Sequence, residues 1–338
     1  MISEALARVV SKEDLPIDQA RQVMGEIMSG TATPAQIGGF LVGLRLKGET
    51  AAEVAGFAQA MREKAVGYVS RHPLLVDTCG TGGDGAHTFN ISTTAAFVVA
   101  ACGCKVAKHG NRSVSSRAGS ADVLEALGAR IDLPPAVAGQ CLDEVGFGFF
   151  FAPLCHPAMK HAAGPRRELG LRTVFNILGP LCNPAGAQVQ VIGVYAPELI
   201  DLVAEVLSLL GTRRAFVIHG AGGLDEFSPV GEVMYAEVQN GSVRRGVFDP
   251  GDYGIERSPV EALRGGTAGE NAALTRSVLQ GERGPKSEAV ALNSALALLA
   301  AGSAGDLGEG IHLAREALSS GAALAKMEEY VAWTRSVL

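Results

Sequence analysis

Leu74-Leu-Val-Asp-Thr78-Cys79-Gly80-Thr81-Gly82-Gly83-Asp84-Gly85, then Asn90-Ile-Ser-Thr93 and an apolar run to Cys102, reads as strand, glycine loop and helix. Leu74–Thr78 is a short apolar strand, and Thr93–Cys102 has the composition of a buried helix. Glycines between them let backbone N–H groups converge and let an anion approach without a Cβ in the way. The helix start adds its dipole and the hydroxyls of Ser92, Thr93 and Thr94. The loop is either a phosphate cradle or a tight turn that binds nothing. No Lys-Ser/Thr follows the glycines, which excludes a Walker loop, and the glycine spacing excludes the dinucleotide fingerprint.

The same grammar repeats downstream. A strand around Lys105–Lys108 leads into Lys108-His109-Gly110-Asn111-Arg112-Ser113-Val114-Ser115-Ser116-Arg117, and Gly119 and Ser120 open the next helix. Cations, an amide and hydroxyls so close together suit a polyanion, although a solvated loop has the same look. Further strands are read at Phe147–Phe151, Gln188–Tyr195 and Arg214–Ile218, with a helix over Pro197–Leu210. Strands alternating with helices imply right-handed crossovers and a mostly parallel sheet. Ligands of such sheets sit beyond the carboxyl ends of the strands, where both loops lie. Met234–Phe248 breaks the alternation, and Asn240-Gly241 at its centre marks a type I′ hairpin.

Two more segments carry chemistry. Gly220-Ala-Gly-Gly-Leu-Asp225-Glu226 follows a strand. Its paired carboxylates facing a polyphosphate suggest Mg2+, or else form an ordinary surface pair. His156 is read as beginning a helix after the Phe147–Phe151 strand, and Arg166 follows Pro165. Arg166 is either a bidentate carboxylate reader or a solvated arginine, and a lone His156 is commonly structural.

Residues 1–70 show no strand pattern. Thr33-Pro34-Ala-Gln36 and Thr50-Ala-Ala-Glu53 each place an N-cap and a capping-box partner ahead of an amphipathic run. We therefore expect a helical domain over 1–70, joined by helices from about 155–175, and an α/β domain over 71–338. The 338 residues suit one large and one small domain. A net charge of −6 argues against general nucleic-acid affinity. The six cysteines show no zinc-type pairs, no apolar run reaches membrane-spanning length, and the N-terminus does not read as a signal peptide. A cytoplasmic protein without membrane partners is expected.

Together these blocks resemble the anthranilate phosphoribosyltransferase family. The matching text is Cys79-Gly-Thr-Gly-Gly-Asp84, Asn90-Ile-Ser-Thr93, Lys108-His-Gly-Asn-Arg-Ser113, Gly119-Ser-Ala-Asp-Val-Leu-Glu125, His156-Pro-Ala-Met159, Arg166-Arg-Glu-Leu169, Arg172-Thr-Val-Phe-Asn-Ile-Leu-Gly-Pro180 and Leu224-Asp-Glu226. One departure is Gly164, where the family pattern leads one to expect a bulkier residue before the proline. The resemblance implies a homodimer, two Mg2+ ions, and transfer of phosphoribosyl from phosphoribosyl pyrophosphate to anthranilate in tryptophan biosynthesis. It implies donor contacts from Gly80, Gly83, Asp84, Thr88, Asn90, Ile91, Ser92 and Thr93. Lys108, His109, Gly110, Asn111, Arg112, Ser113, Val114, Ser115, Ser116 and Ser120 are implied with them. Ser92, Asp225 and Glu226 are implied as metal ligands. Gly80, Asn111 and Arg166 are implied to position anthranilate, with His109, His156 and Gly179 lining its path. Lys108 and Arg166 matter most, through charge and alignment and without covalent catalysis. The competing readings are a pyrimidine nucleoside phosphorylase and a non-catalytic nucleic-acid-binding relative.

Overall fold

A computed structural model describes residues 1–113 and 117–337. Four helices open the chain: α1 (Ile2–Val10), α2 (Ile17–Ser29), α3 (Pro34–Lys47) and α4 (Ala51–Glu63). Both capping boxes form, Thr33 with Gln36 and Thr50 with Glu53, so orphan N–H groups at each helix start are satisfied. Glu53 does more than cap. It is fully buried, accepts the Leu15 N–H at 2.9 Å and pairs with Lys47 at 3.0 Å.

The remaining chain is α/β. In chain order it contains β1 (Val76–Gly80), α5 (Ile91–Ala101), β2 (Val106–Gly110), α6 (Ser120–Ala126), α7 (Pro135–Val145) and β3 (Phe147–Phe151). Next come α8 (Ala152–Cys155), α9 (Lys160–Leu169), α10 (Phe175–Leu181), β4 (Val189–Gly193), α11 (Leu199–Leu209), β5 (Arg214–Gly220), β6 (Val233–Gln239) and β7 (Ser242–Phe248). The helices α12 (Ala268–Leu279), α13 (Pro285–Ala301), α14 (Leu307–Ser319) and α15 (Ala322–Ser336) close the chain. The sheet order is β3-β2-β1-β4-β5-β6-β7; the first five strands run parallel, and β6 and β7 are added by antiparallel pairing. A small helical domain thus accompanies a large α/β domain with a mostly parallel sheet.

The hairpin turn has φ 49° at Asn240 and 82° at Gly241, the positive pair a type I′ turn requires. Other boundaries moved. β1 starts at Val76, because its pairing with β4 runs from Val76↔Val189 to Gly80↔Gly193 and carries the strand into the glycine loop. Helix α5 starts at Ile91, which sets Ser92 and Thr93 inside its first turn. His156 does not open a long helix; it separates α8 from the short 3-10 turn Pro157–Met159. The helix α7 escaped the sequence reading.

One apolar cluster packs α5, α13 and α15 on one face of the sheet. A second joins α1–α4 to Ala162 of α9, Phe175 and Leu178 of α10, and the other sheet face. Helix α9 therefore touches the helical domain at α2 and α3 while carrying Arg166. No helix among the described residues is long and apolar enough to cross a membrane.

Candidate active site

Four of the five parallel strands end in glycine: Gly80, Gly110, Gly193 and Gly220. A Cβ on Gly193 would lie 1.6 Å from the Asp225 carbonyl oxygen, and one on Gly80 would lie 2.2 Å from Asp225 Oδ2. On Gly110 it would meet Ser120 Oγ at 2.2 Å. The loops fold back over the strand ends, and only glycine leaves them room. Strand order reverses between β1 and β4, and open parallel sheets bind ligands at such a switch point.

Two carboxylates line this edge. Asp225 and Glu226 are each 8% exposed. The Gly82 N–H donates to Asp225 Oδ2 at 2.8 Å, and the Ser92 N–H donates to Glu226 Oε1 at 3.1 Å. The acidic loop thus holds both the glycine loop and the start of α5. Burial raises both carboxyl pKa values; the Asp84 charge raises that of Asp225 further, and the Asp225 charge that of Glu226. Asp84 Oδ1 accepts the Ala86 N–H at 3.1 Å, while its buried Oδ2 has no hydrogen-bond partner among the described residues. The Ser92 hydroxyl likewise has none. Three crowded carboxylates, one with an orphan oxygen, fit a hard divalent cation. Among the described residues no closed cage of three or more His, Cys, Asp or Glu side chains forms. Mg2+ does not need one, because it keeps waters and takes one or two carboxylates together with phosphate oxygens.

A cation lies beneath the glycine loop. Lys108 is 2% exposed, and its Nζ donates to the Thr78 carbonyl at 2.5 Å. On the neighbouring strand Asp77 is fully buried, accepting from Asn183 Nδ2 at 2.8 Å and from the His109 N–H at 3.4 Å. Burial lowers the Lys108 pKa, opposed by the Asp77 charge, and burial pushes Asp77 up to about 6. Asp77 and Asn183 were not singled out from sequence. The signal for Asp77 was a carboxylate inside an apolar strand; Asn183 gave none, because it reaches the pair from a distant turn.

The second loop is fastened to α6. Ser113 and Gly119 donate N–H groups to Asp122 Oδ2 at 3.0 and 2.9 Å. The exposed Arg112 guanidinium pairs with Asp122 at 2.9 Å and Glu125 at 2.8 Å, so an anion would have to draw it from two carboxylates. The Asn111 carbonyl accepts Ser120 Oγ at 3.4 Å. Val114, Ser115 and Ser116 lie outside the described residues. Ile91 and Thr93 are buried, and Thr88 bridges Arg264 through its backbone.

On helix α9, Arg166 is half-buried with its guanidinium 4.8 Å from the Phe175 ring centre. That guanidinium has no hydrogen bond or ion pair among the described residues. The His109 and His156 rings stand 5.1 Å apart, each with a buried Nε2 lacking a partner among the described residues. Burial pushes His109 down to about 3 and lowers His156, so His109 is neutral near pH 7. Arg172 was missed from sequence. Its guanidinium donates to the Gly83 carbonyl and lies 4.2 Å from the Tyr195 ring centre, while Arg45 of α3 donates to its carbonyl. This contact ties the helical domain to the glycine loop.

The helical bundle domain of the glycosyl transferase family matches residues 3–65, and its a/b domain matches residues 72–324. The chain is 57% identical over 334 residues to anthranilate phosphoribosyltransferase of Pelotomaculum thermopropionicum, covering 99% of this chain and 97% of that one. Among solved structures, the Thermus thermophilus enzyme superposes with a TM-score of 0.94 at 48% identity, over 98% and 99% of the two chains. The Saccharomyces cerevisiae enzyme in complex with PRPP (phosphoribosyl pyrophosphate) and Mg gives 0.91 at 27% identity, over 99% and 98%. The same yeast enzyme with 4-fluoroanthranilate gives 0.88 at 26%, over 100% and 99%. With the clustered carboxylates and the buried lysine beside the strand ends, these matches show that the chain belongs to the anthranilate phosphoribosyltransferases of the glycosyl transferase family.

Proposed function

We propose that this chain transfers the phosphoribosyl group of phosphoribosyl pyrophosphate to the amine of anthranilate, releasing pyrophosphate, as a step of tryptophan biosynthesis. The observation that carries the reading is Arg166, a half-buried guanidinium without an acidic partner among the described residues. Burying such a charge is costly unless a ligand carboxylate completes it. A nucleoside phosphorylase needs neither the acidic pair nor this arginine, and the relatives favour the transferase.

Departure of pyrophosphate from C1 of ribose leaves positive charge on the sugar and negative charge on the leaving group. Ser92, Asp225 and Glu226 would hold two Mg2+ ions, which supply charge neutralisation to the pyrophosphate when bound. The chain's own part is placement. The N–H groups of the glycine loop, buried Lys108 and the loop from His109 to Ser120 receive the anion. Arg166 takes the anthranilate carboxylate and aims the amine, neutral near pH 7, at C1. Neutral His109 and His156 border the acceptor with Gly179, and a dry pocket protects the donor from hydrolysis.

Loss of anthranilate fluorescence with donor and Mg2+ tests the activity; no change at high enzyme concentration sinks it. Arg166→Ala is expected to raise the KM for anthranilate by about a hundredfold, as loss of a bidentate charged pair does. The KM for the donor should shift far less, and equal shifts would remove Arg166 from its role.

The division of the chain near residue 70, with α9 and α10 joining the helical unit, belongs to the same reading. So does a homodimer. Its support is Val10, 67% exposed, and Leu46, 78% exposed, on the adjacent helices α1 and α3. Sedimentation should return twice the mass of one chain, and a monomer at micromolar concentration would refute the pairing. All six cysteines are free, as suits the reducing cytoplasm, where we place the enzyme.

A further inference from the structure

The segment from Leu263 to Thr275 carries none of the residues assigned above, yet it touches the donor loop at several points. The Phe89 N–H donates to the Leu263 carbonyl at 3.0 Å, and the Gly265 N–H to the His87 carbonyl at 2.9 Å. A Cβ on Gly265 would lie 2.7 Å from Phe89 Cα and 2.5 Å from Asn271 Oδ1, so the two backbones meet where only glycine fits.

At the centre is Asn271 on α12, 2% exposed. The Gly266 N–H donates to Asn271 Oδ1 at 2.7 Å. Asn271 Nδ2 donates to Asn90 Oδ1 at 2.9 Å. Asn90 Nδ2 donates to the Ala118 carbonyl at 3.2 Å. The chain starts at a backbone donor and ends at a backbone acceptor, so the orientation of both amides is determined by the network itself. One turn further along α12, buried Thr275 meets the Thr94 hydroxyl at 3.0 Å, and that hydroxyl donates to the Asn90 carbonyl at 2.9 Å. Asn90 is thus held at its side chain by Asn271 of α12, and at its carbonyl by Thr94 of α5, whose hydroxyl Thr275 of α12 supports. The second Asn90 Nδ2 hydrogen has no partner among the described residues and remains for a ligand.

We infer that Asn271 is a positioning residue for the donor: through Asn90 it fastens the start of α5 to Ala118 at the end of the cationic loop, so these two points are pre-set before substrate arrives. The inference rests on the proposed reading that these loops hold phosphoribosyl pyrophosphate. A loop already held in its bound arrangement gives up less freedom on binding, which appears as donor affinity.

Asn271→Asp is the informative variant. It has the same shape and still accepts from Gly266. Its ionised carboxylate cannot donate, so Asn90 must turn its amide and present an oxygen to the Ala118 carbonyl. The full-length variant, assayed at a temperature where it is fully folded, is expected to show a donor KM raised by about tenfold and an anthranilate KM within about twofold of wild type. In the substrate-free variant, trypsin should cut faster after Arg117. In an Asn90→Ala background, Asn271→Asp should add less than about a twofold further effect, because both changes break one chain. An unchanged donor KM, unchanged cleavage or fully multiplicative effects would overturn the inference. A wild-type chain that consumes no anthranilate while cleavage still accelerates in the variant strikes the proposed activity and supports the fastening itself.

Discussion

Asp225→Asn with Glu226→Gln is expected to lose at least about a hundredfold in Mg2+-dependent turnover, the scale on which removal of a preorganised electrostatic group is felt. The same pair of changes should raise the melting temperature in chelator at pH 8. Both results follow from one fact. The two carboxyls are buried beside each other and beside Asp84, and their pKa values are raised in the fold. A carboxyl whose folded pKa exceeds its unfolded value binds protons on folding. Its cost is absent below the unfolded pKa, near 4, and grows until the pH passes the raised folded value. Without metal, the wild type should therefore melt lower at pH 8 than at pH 6, and the neutral variant should lose that slope. Mg2+ with the donor should restore wild-type stability and leave the variant unmoved. A variant with full rate, or one no more stable than wild type in chelator, removes the metal assignment.

Lys108→Met is expected to abolish most turnover and to destabilise the fold by about 3–5 kcal/mol, the scale on which a buried carboxylate left without its compensating charge is felt. Asp77 would be left buried with its hydrogen bonds from Asn183 and His109 but without a cation. Adding Asp77→Asn should recover much of the stability, since a neutral amide no longer needs the lysine. It should not recover turnover, because the part proposed for Lys108 is to receive the leaving group's charge. Chemical denaturation and steady-state rates on the single and double variants separate the two roles. If the double variant regains activity, Lys108 serves the fold alone.

The sequence disclosed much of this site because the chemistry is written in short local blocks. Glycines at strand ends, Lys108 in a cationic loop, Asp225 beside Glu226 and Arg166 after Pro165 are visible without coordinates. Residues that act from a distance were not. Asp77 looks like part of a strand until Asn183, more than a hundred residues away, is found bonded to it. Arg172 looks like a loop arginine until it reaches the Gly83 carbonyl. Asn271 is an ordinary helix residue until its amide meets Asn90, 181 positions earlier. In the opposite direction, Arg112 reads as a phosphate ligand, and the fold gives it two carboxylates of α6.

By itself the sequence determined the periodicities, caps and turns, because these depend on residues within a few positions of one another. The two capping boxes, the Asn240-Gly241 hairpin and the strand–loop–helix grammar from Leu74 onward belong to that class. The tertiary structure alone decided which loops meet and which charges lose their water. Sheet order placed β1 beside β4, and only that adjacency brought Asp225 over Gly80 and Gly193. Burial then raised the pKa values of the acidic pair and left Arg166 unpaired. Desolvation and long-range pairing are properties of packed neighbours, and the neighbours of Cys79–Gly85 include Arg172, Gly193 and Asp225, all far along the chain.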